Sequence, residues 1–482
     1  MKKIALPALL LPLILGGCEL EETDPDNTNT PSNEQVGDQS GDQLGNQDTP
    51  YAFQFKALSS DCSQDDCDSE LWVIDNRGDI KQLTNINEAG NSYPSTPVLF
   101  NEQYFFTAED GINGNEIWVG DPLNGDVSLL LDLNPGDGSS YAGHFLEYQG
   151  ALYFSASSDT AKGSLWKTDG TAQGTKLVID PRHDTLTSSA SVGNLTELNG
   201  NLYFTAYGEN TDGEHVGKEW WVSNGTTQGT QLLVDFVPGN DGSGIGEIFK
   251  WKNKLYYQAT DGNNTPSDTE HSYSLFESDG TALGTKLVKD INPTENQSSE
   301  ARIGYMTDLG ERFIFVATDG THGSELWASD GTFDGTVMIK DITEGEAGSS
   351  IRGLKVLGNE AYFVARSGDT SGFWKTDGTT QGTQLIRHFD YAVDLEIVDA
   401  GIIISARHGD AEGLWLSDGT SEGTQLYYQS ADIGWLNSTL NPLVYFYKYT
   451  DQLSQLWYTD GTVAGTQQAL DSQNRGVVQV DD

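Results

Sequence analysis

Cysteine is almost missing from this chain of 482 residues, with three in all, and 26 Lys and Arg stand against 72 Asp and Glu, a formal net charge of −46. The cysteine spacing fits neither a CxxC redox motif nor a zinc site. A body this acidic repels nucleic acid and anionic membrane surfaces, which excludes both as partners. Long apolar runs are missing too: the stretch from Ile4 to Leu15 is broken by Pro7 and Pro12, and a permanent span needs about 20 residues. Gly-x-Ser-x-Gly is spelled once, by Gly419-Thr420-Ser421-Glu422-Gly423, inside an Asp-Gly-Thr repeat turn rather than at a strand-to-helix elbow. No His-Glu-x-x-His or P-loop occurs, and no βαβ context exists for a dinucleotide fingerprint. No signature of hydrolysis or nucleotide chemistry therefore stands in its working context.

What is there begins with the leader. Lys2 and Lys3 precede the apolar run, which ends in Leu15-Gly16-Gly17-Cys18. Basic start, short apolar run and small residues make a signal peptide over 1–17. The four terminal residues resemble the bacterial lipobox, which implies cleavage before Cys18, lipidation of its thiol and anchorage to a membrane. Glu19 rather than Asp after the cysteine implies the outer membrane, in periplasmic or surface-facing orientation. Residues 18–50 form the anchor and its tether: positions 19–50 hold nine carboxylates, no Lys or Arg, and few aliphatics. Such a segment cannot bury enough apolar surface to offset its ordering, and as a coil it spans roughly 30 Å.

Residues 51–482 repeat. The phrase Leu165-Trp166-Lys167-Thr168-Asp169-Gly170-Thr171, followed by Gly174-Thr175, recurs around Trp221, Phe276, Trp327, Trp374, Trp415 and Trp457, with looser copies at Trp72 and Trp118. The nine aromatics lie 41 to 55 residues apart, a propeller-blade period. Each copy contains four short apolar runs, here termed strands a to d; in the fourth they are Val192 to Leu198, Leu202 to Ala206, Glu219 to Ser223 and Gln231 to Phe236. Asn199-Gly200 suits a hairpin turn between the first two. Asp-Gly-Thr suits a turn between the last two, because Asp caps backbone N–H groups and glycine accepts a left-handed conformation. Doublets such as Leu-Trp place bulk on both faces of each sheet, as a blade pressed between two others requires.

The expected fold is all-β: a single β-propeller of four-stranded antiparallel blades. Nine blades are expected, with eight as the alternative if one unit is irregular or displaced. The first copy lacks strand a, and the surplus run Gly476 to Val480 is the expected replacement, closing the ring and removing exposed edges.

The phrases Glu325-Leu326-Trp327-Ala328-Ser329-Asp330-Gly331-Thr332 and Ser164 to Thr171 resemble the ELWxxDGT-repeat family of bacterial exported proteins. The blade order also resembles TolB-type propeller repeats. Both resemblances cover essentially all of 51–482 and imply fold and export without implying a reaction.

Candidate site residues fall in loops. The b–c and d–a connections share one face of the disc, and their lengths vary, as binding loops do on a rigid frame. His215, His271, His322 and His408 lie in b–c loops and make a candidate ligand face; His183 and His388 lie near d–a loops and His144 opens an a-strand. Cys62 and Cys67 are spaced to staple a loop, with two free thiols as the alternative. Asp61, Asp65, Asp66 and Asp68 around them offer oxygens for Ca2+, although no EF-hand spacing occurs. Trp220, Trp251 and Trp435 are additional to the repeat and suit either carbohydrate stacking or the core. No catalytic residue stands out. The function expected is a cell-envelope binding or scaffolding module for a protein or glycan partner; the alternative is a propeller hydrolase or lyase acting on a polysaccharide or ester.

Overall fold

A computed structural model describes residues 51–58, 69–75, 79–87, 90–121, 126–182, 189–260, 274–292, 302–440, 443–449, 454–471 and 478–479. Cys18, Cys62, Cys67, Asp61, Asp65, Asp66, Asp68, His183 and His271 lie outside them. All elements among the described residues are β-strands, arranged as eight sheets. Copies two to eight each form a four-stranded antiparallel meander. The fourth copy, for example, runs Gly193–Leu198, Asn201–Glu209, His215–Ser223 and Gln231–Val234.

The sheets number eight rather than the nine blades expected, and the reason lies at the tail. Val478–Gln479 pairs antiparallel with Tyr51–Leu58, through Ala57 with Gln479 and Leu58 with Val478. The pairing is the one expected of the missing a-strand. Val478 also pairs with Gln455 of the ninth copy, so the first and ninth copies merge into one nine-stranded sheet. Leu470–Asp471 joins the same sheet by parallel pairing with Asp79–Gln82, a contact the repeat pattern does not announce.

The apolar clusters follow the chain from sheet to sheet. One joins Leu165 and Tyr153 of copy three to Phe204 and Trp221 of copy four. Others join copies four and five through Trp220 and Tyr257, five and six through Trp251 and Phe313, and six and seven through Ile314 and Phe363. The sheets of copies four to six are thus covered on both faces by their neighbours, as the blades of a β-propeller are. The c-strand aromatic lies over the b-strand: Phe204 and Trp221 stack with centroids 6.3 Å apart, and the Trp221 indole N–H donates to the Ala206 carbonyl at 3.2 Å. Trp220 and Trp251 belong to this core, with 1% and 4% exposure, whereas Trp435 is 54% exposed.

Asp-Gly-Thr is a turn device, as expected. In copy six the Asp330 carboxylate accepts the Thr332 N–H at 2.9 Å and its hydroxyl at 2.7 Å. Asn224 does the same for Thr226 in copy four, at 3.1 and 2.7 Å. Glycine is required at Gly225 twice over: its φ is +85°, and a Cβ there would lie 2.3 Å from the Tyr153 hydroxyl of the preceding copy.

A second device ties strand c to the d–a loop. Glu116, Glu219 and Glu325 are fully buried in strand c, each two residues before the repeat tryptophan. Glu116 accepts N–H bonds from Leu133 and Asn134 at 3.0 and 3.3 Å. Glu325 accepts from the Ile342 N–H at 2.9 Å and from the Ser349 hydroxyl. Buried carboxylates here satisfy loop N–H groups that would otherwise be orphaned.

Candidate binding face

The a-strands of successive copies touch one another, as in Gly143–Tyr148 with Gly193–Leu198, Arg352–Leu357 with Tyr391–Val398, and Tyr391–Val398 with Ile433–Leu440. They therefore form the inner wall, and the point where the chain enters each a-strand is the mouth of the propeller.

That entry is irregular in most copies. The a–b register slips between Gly143 and Leu146, Gly193 and Thr196, Gly304 and Thr307, and Arg352 and Lys355. Left-handed residues sit at and before the slips: Tyr141 (φ +48°), His144 (+55°), Ser191 (+47°), Asn194 (+53°), Tyr305 (+56°) and Ser350 (+46°), with Tyr93 (+43°) at the same place in copy two. Left-handed backbone at a bulky residue costs about 1–2 kcal/mol. Tyrosine takes it three times and each time leaves its ring in solvent: Tyr93 is 57%, Tyr141 75% and Tyr305 57% exposed. Tyr391 and Trp435 extend the exposed aromatic series to the entries of copies eight and nine.

Polar groups link the entries from copy to copy. Asn194 donates to the Ile245 and Gly246 carbonyls at 3.3 and 3.4 Å. The Glu247 carboxylate accepts the Tyr305 N–H at 3.1 Å. Lys355 pairs with Glu396 at 2.9 Å, and the Arg352 guanidinium lies 5.0 Å from the Trp435 ring centre. Buried Asp394 accepts the Leu436 N–H at 3.3 Å, and burial pushes its carboxyl up to about 6. Beside Tyr305 a cleft of about 480 Å³ is lined by Gln258, Arg302, Ile303, Gly304, Val316 and Ser324.

The histidines singled out in the sequence do not share one pocket. His215 lies 3.7 Å from Glu209 across the b–c hairpin of copy four. His322 bonds Asp319 at 2.8 Å in copy six, and that hydrogen bond raises its pKa above the ordinary range. His408 is exposed at the end of a b-strand of copy eight, edge-on to Trp415. His388 is exposed in the d-strand of copy seven. Among the described residues no three His, Cys, Asp or Glu converge as a metal site. The tyrosines were not legible as a group, since nothing in residue type announces a left-handed backbone; the recurring Ser-Tyr at Ser92-Tyr93 and Ser140-Tyr141 is the one available hint.

No protein-family model matches the chain, and no curated protein matches it. Among solved structures it is similar to the β-propeller domain of the Trilobed protease from Pyrococcus furiosus, at 12% identity over 79% of this chain and 98% of that one, TM-score 0.37. It is similar to a prolyl endopeptidase at 11% identity over 81% of this chain and 50% of that one, TM-score 0.43. The GH74 enzyme of Niastella koreensis gives 13% identity over 84% and 65%, TM-score 0.37. The chain thus spans about half of the endopeptidase. At these scores the likenesses carry no argument about activity.

Proposed function

We propose that the protein is a glycan-binding module of the bacterial cell envelope, held to the outer membrane through Cys18 and gripping sugar chains at the mouth of its propeller. The observation that carries the reading is the set of exposed tyrosines, Tyr93, Tyr141 and Tyr305, each held on strained backbone at the entry to an a-strand. Strain retained where nothing is buried points to function. An aromatic face offers a flat, weakly negative surface to the C–H groups of a pyranose ring, while the hydroxyls find donors and acceptors in Gln258, Arg302 and Ser324 of the adjoining cleft.

Binding of the purified protein to a panel of polysaccharides tests this. Tyr141→Ala and Tyr305→Ala are expected to weaken binding about tenfold each, the effect of one lost aromatic contact, with no change in thermal stability. Retention of no glycan would overturn the reading, and selective capture of a protein would replace it with a protein-binding role. Release of cleaved sugar would make it a hydrolase or lyase. Labelling with palmitate, lost in Cys18→Ser, reads the anchor.

We also propose that the ring is closed by Val478–Gln479 lying against Tyr51–Leu58. Deleting residues 476–482 should then lower the unfolding midpoint and expose a sheet edge that drives association. A truncated protein as stable and monomeric as the full chain would refute closure.

A further inference from the structure

Several basic side chains have an acidic companion: Lys250 pairs with Glu197 at 2.9 Å, Lys254 with Glu277 at 2.8 Å and Lys355 with Glu396 at 2.9 Å. Such pairing is what an excess of carboxylates dictates. His144 and Lys218 depart from it. His144, at the entry to the a-strand of copy three, and Lys218, in the c-strand of copy four, meet over Gly193. A Cβ on Gly193 would lie 3.4 Å from His144 Nε2 and 3.6 Å from Lys218 Nζ. Neither nitrogen has a hydrogen-bonding or ionic partner among the described residues. Lys218 is half-buried and His144 lies exposed beside it; desolvation lowers both pKa values, the lysine charge lowering that of His144 further.

A half-buried lysine ammonium beside an imidazole, with no carboxylate at either, is costly in any protein. In one with 72 acidic residues the absence of a counter-charge is the feature to explain. His144 is also held there on left-handed backbone, three residues from exposed Tyr141.

We infer that His144 and Lys218 form an anion subsite, which holds a single carboxylate or sulfate carried by an otherwise neutral glycan chain. The inference rests on the glycan reading and narrows it to acidic glycans of low charge density. A densely charged polymer is repelled by the acidic body, whereas an isolated anion is screened from distant carboxylates beyond about 10 Å at ordinary ionic strength. In the bound state the anion accepts from Lys218 Nζ and from protonated His144, while Tyr141 offers its face to a neighbouring sugar.

The test compares a xylo-oligosaccharide bearing one glucuronate branch, the same chain bearing one sulfate, and the unsubstituted chain of equal length, by calorimetry on the purified protein. At least one charged chain should bind about tenfold more tightly than the neutral one, the worth of one charge-assisted contact. Lys218→Gln should abolish that preference and leave neutral binding unchanged, while Lys218→Arg restores it. The His144 ring, followed by NMR, should titrate at higher pH with the charged chain bound. Equal affinity for all three chains overturns the anion subsite and spares the glycan reading. Binding of none overturns the glycan reading; the subsite then falls too if free glucuronate and inorganic sulfate leave the His144 titration unmoved. Should Lys218→Gln unfold, His144→Gln gives the same comparison from the other partner.

Discussion

Phe313→Ala is expected to lower the free energy of unfolding by about 3–5 kcal/mol, the cost of deleting a buried phenylalanine ring and leaving a cavity. Phe313 is fully buried where copies five and six meet. Its ring lies 4.8 Å from that of Tyr256, 5.1 Å from Trp251, 5.4 Å from Phe249 and 5.8 Å from Phe315. Four aromatic neighbours from two sheets cannot all close on the gap, because each is held by its own strand. Phe333→Ala, at a ring that is 62% exposed, serves as the control and should stay within about 0.5 kcal/mol of the parent. Because each sheet packs mainly on its neighbours, the loss should appear first as faster amide exchange in copies five and six. Uniform acceleration over every copy would show that the sheets do not behave as separable units.

How much of this was legible in the sequence differs between elements. Strands and turns were, because they depend on neighbouring residues: the Asn201–Glu209 and Gln231–Val234 strands fall where the apolar runs place them, and Asp169, Asn224 and Asp330 cap their turns. The sheet count was not, since Val478 pairs with Gln455 of copy nine as well as with the expected Leu58, and no local pattern specifies that second pairing. Tryptophans outside the repeat were ambiguous by composition alone. Packing decides them: Trp220 meets Tyr257 with centroids 5.3 Å apart in the core, whereas exposed Trp435 has the Arg352 guanidinium over its ring. Chemically interesting residue types attracted attention in the b–c loops, yet His215, His322 and His408 belong to three different sheets. The mouth is assembled instead from ordinary Tyr, Asn and Lys residues whose placement comes from register slips. Sequence periodicity carries no sign of a slip of this kind.

The pH dependence of stability should trace in large part to Glu219. Its Oε2 accepts the Ser243 hydroxyl at 2.6 Å and the Phe236 N–H at 3.4 Å, while Oε1 has no hydrogen-bond partner among the described residues. Asp235 follows Val234, the last residue of strand d, which pairs with Trp220, so Asp235 comes opposite Glu219 in the register. Burial, with the charge of Asp235 added, pushes the Glu219 carboxyl from its ordinary 4.5 up to about 7. Between those two values the folded chain holds a proton that the unfolded chain has released. Stability is therefore greatest below about 4.5 as far as this group is concerned and declines as pH rises through about 7. Over the whole interval the decline is of order 3 kcal/mol. Asp394, raised by burial to about 6, acts in the same direction. Glu219→Gln keeps an oxygen for Ser243 and Phe236 but cannot ionise, so its unfolding free energy should vary less between pH 5 and 8. Repulsion within the acidic body weakens both proteins alike as pH rises, and the difference between their denaturation curves at each pH isolates the one carboxyl. Parallel curves would mean that Glu219 is ionised throughout and that an unseen cation or water satisfies Oε1.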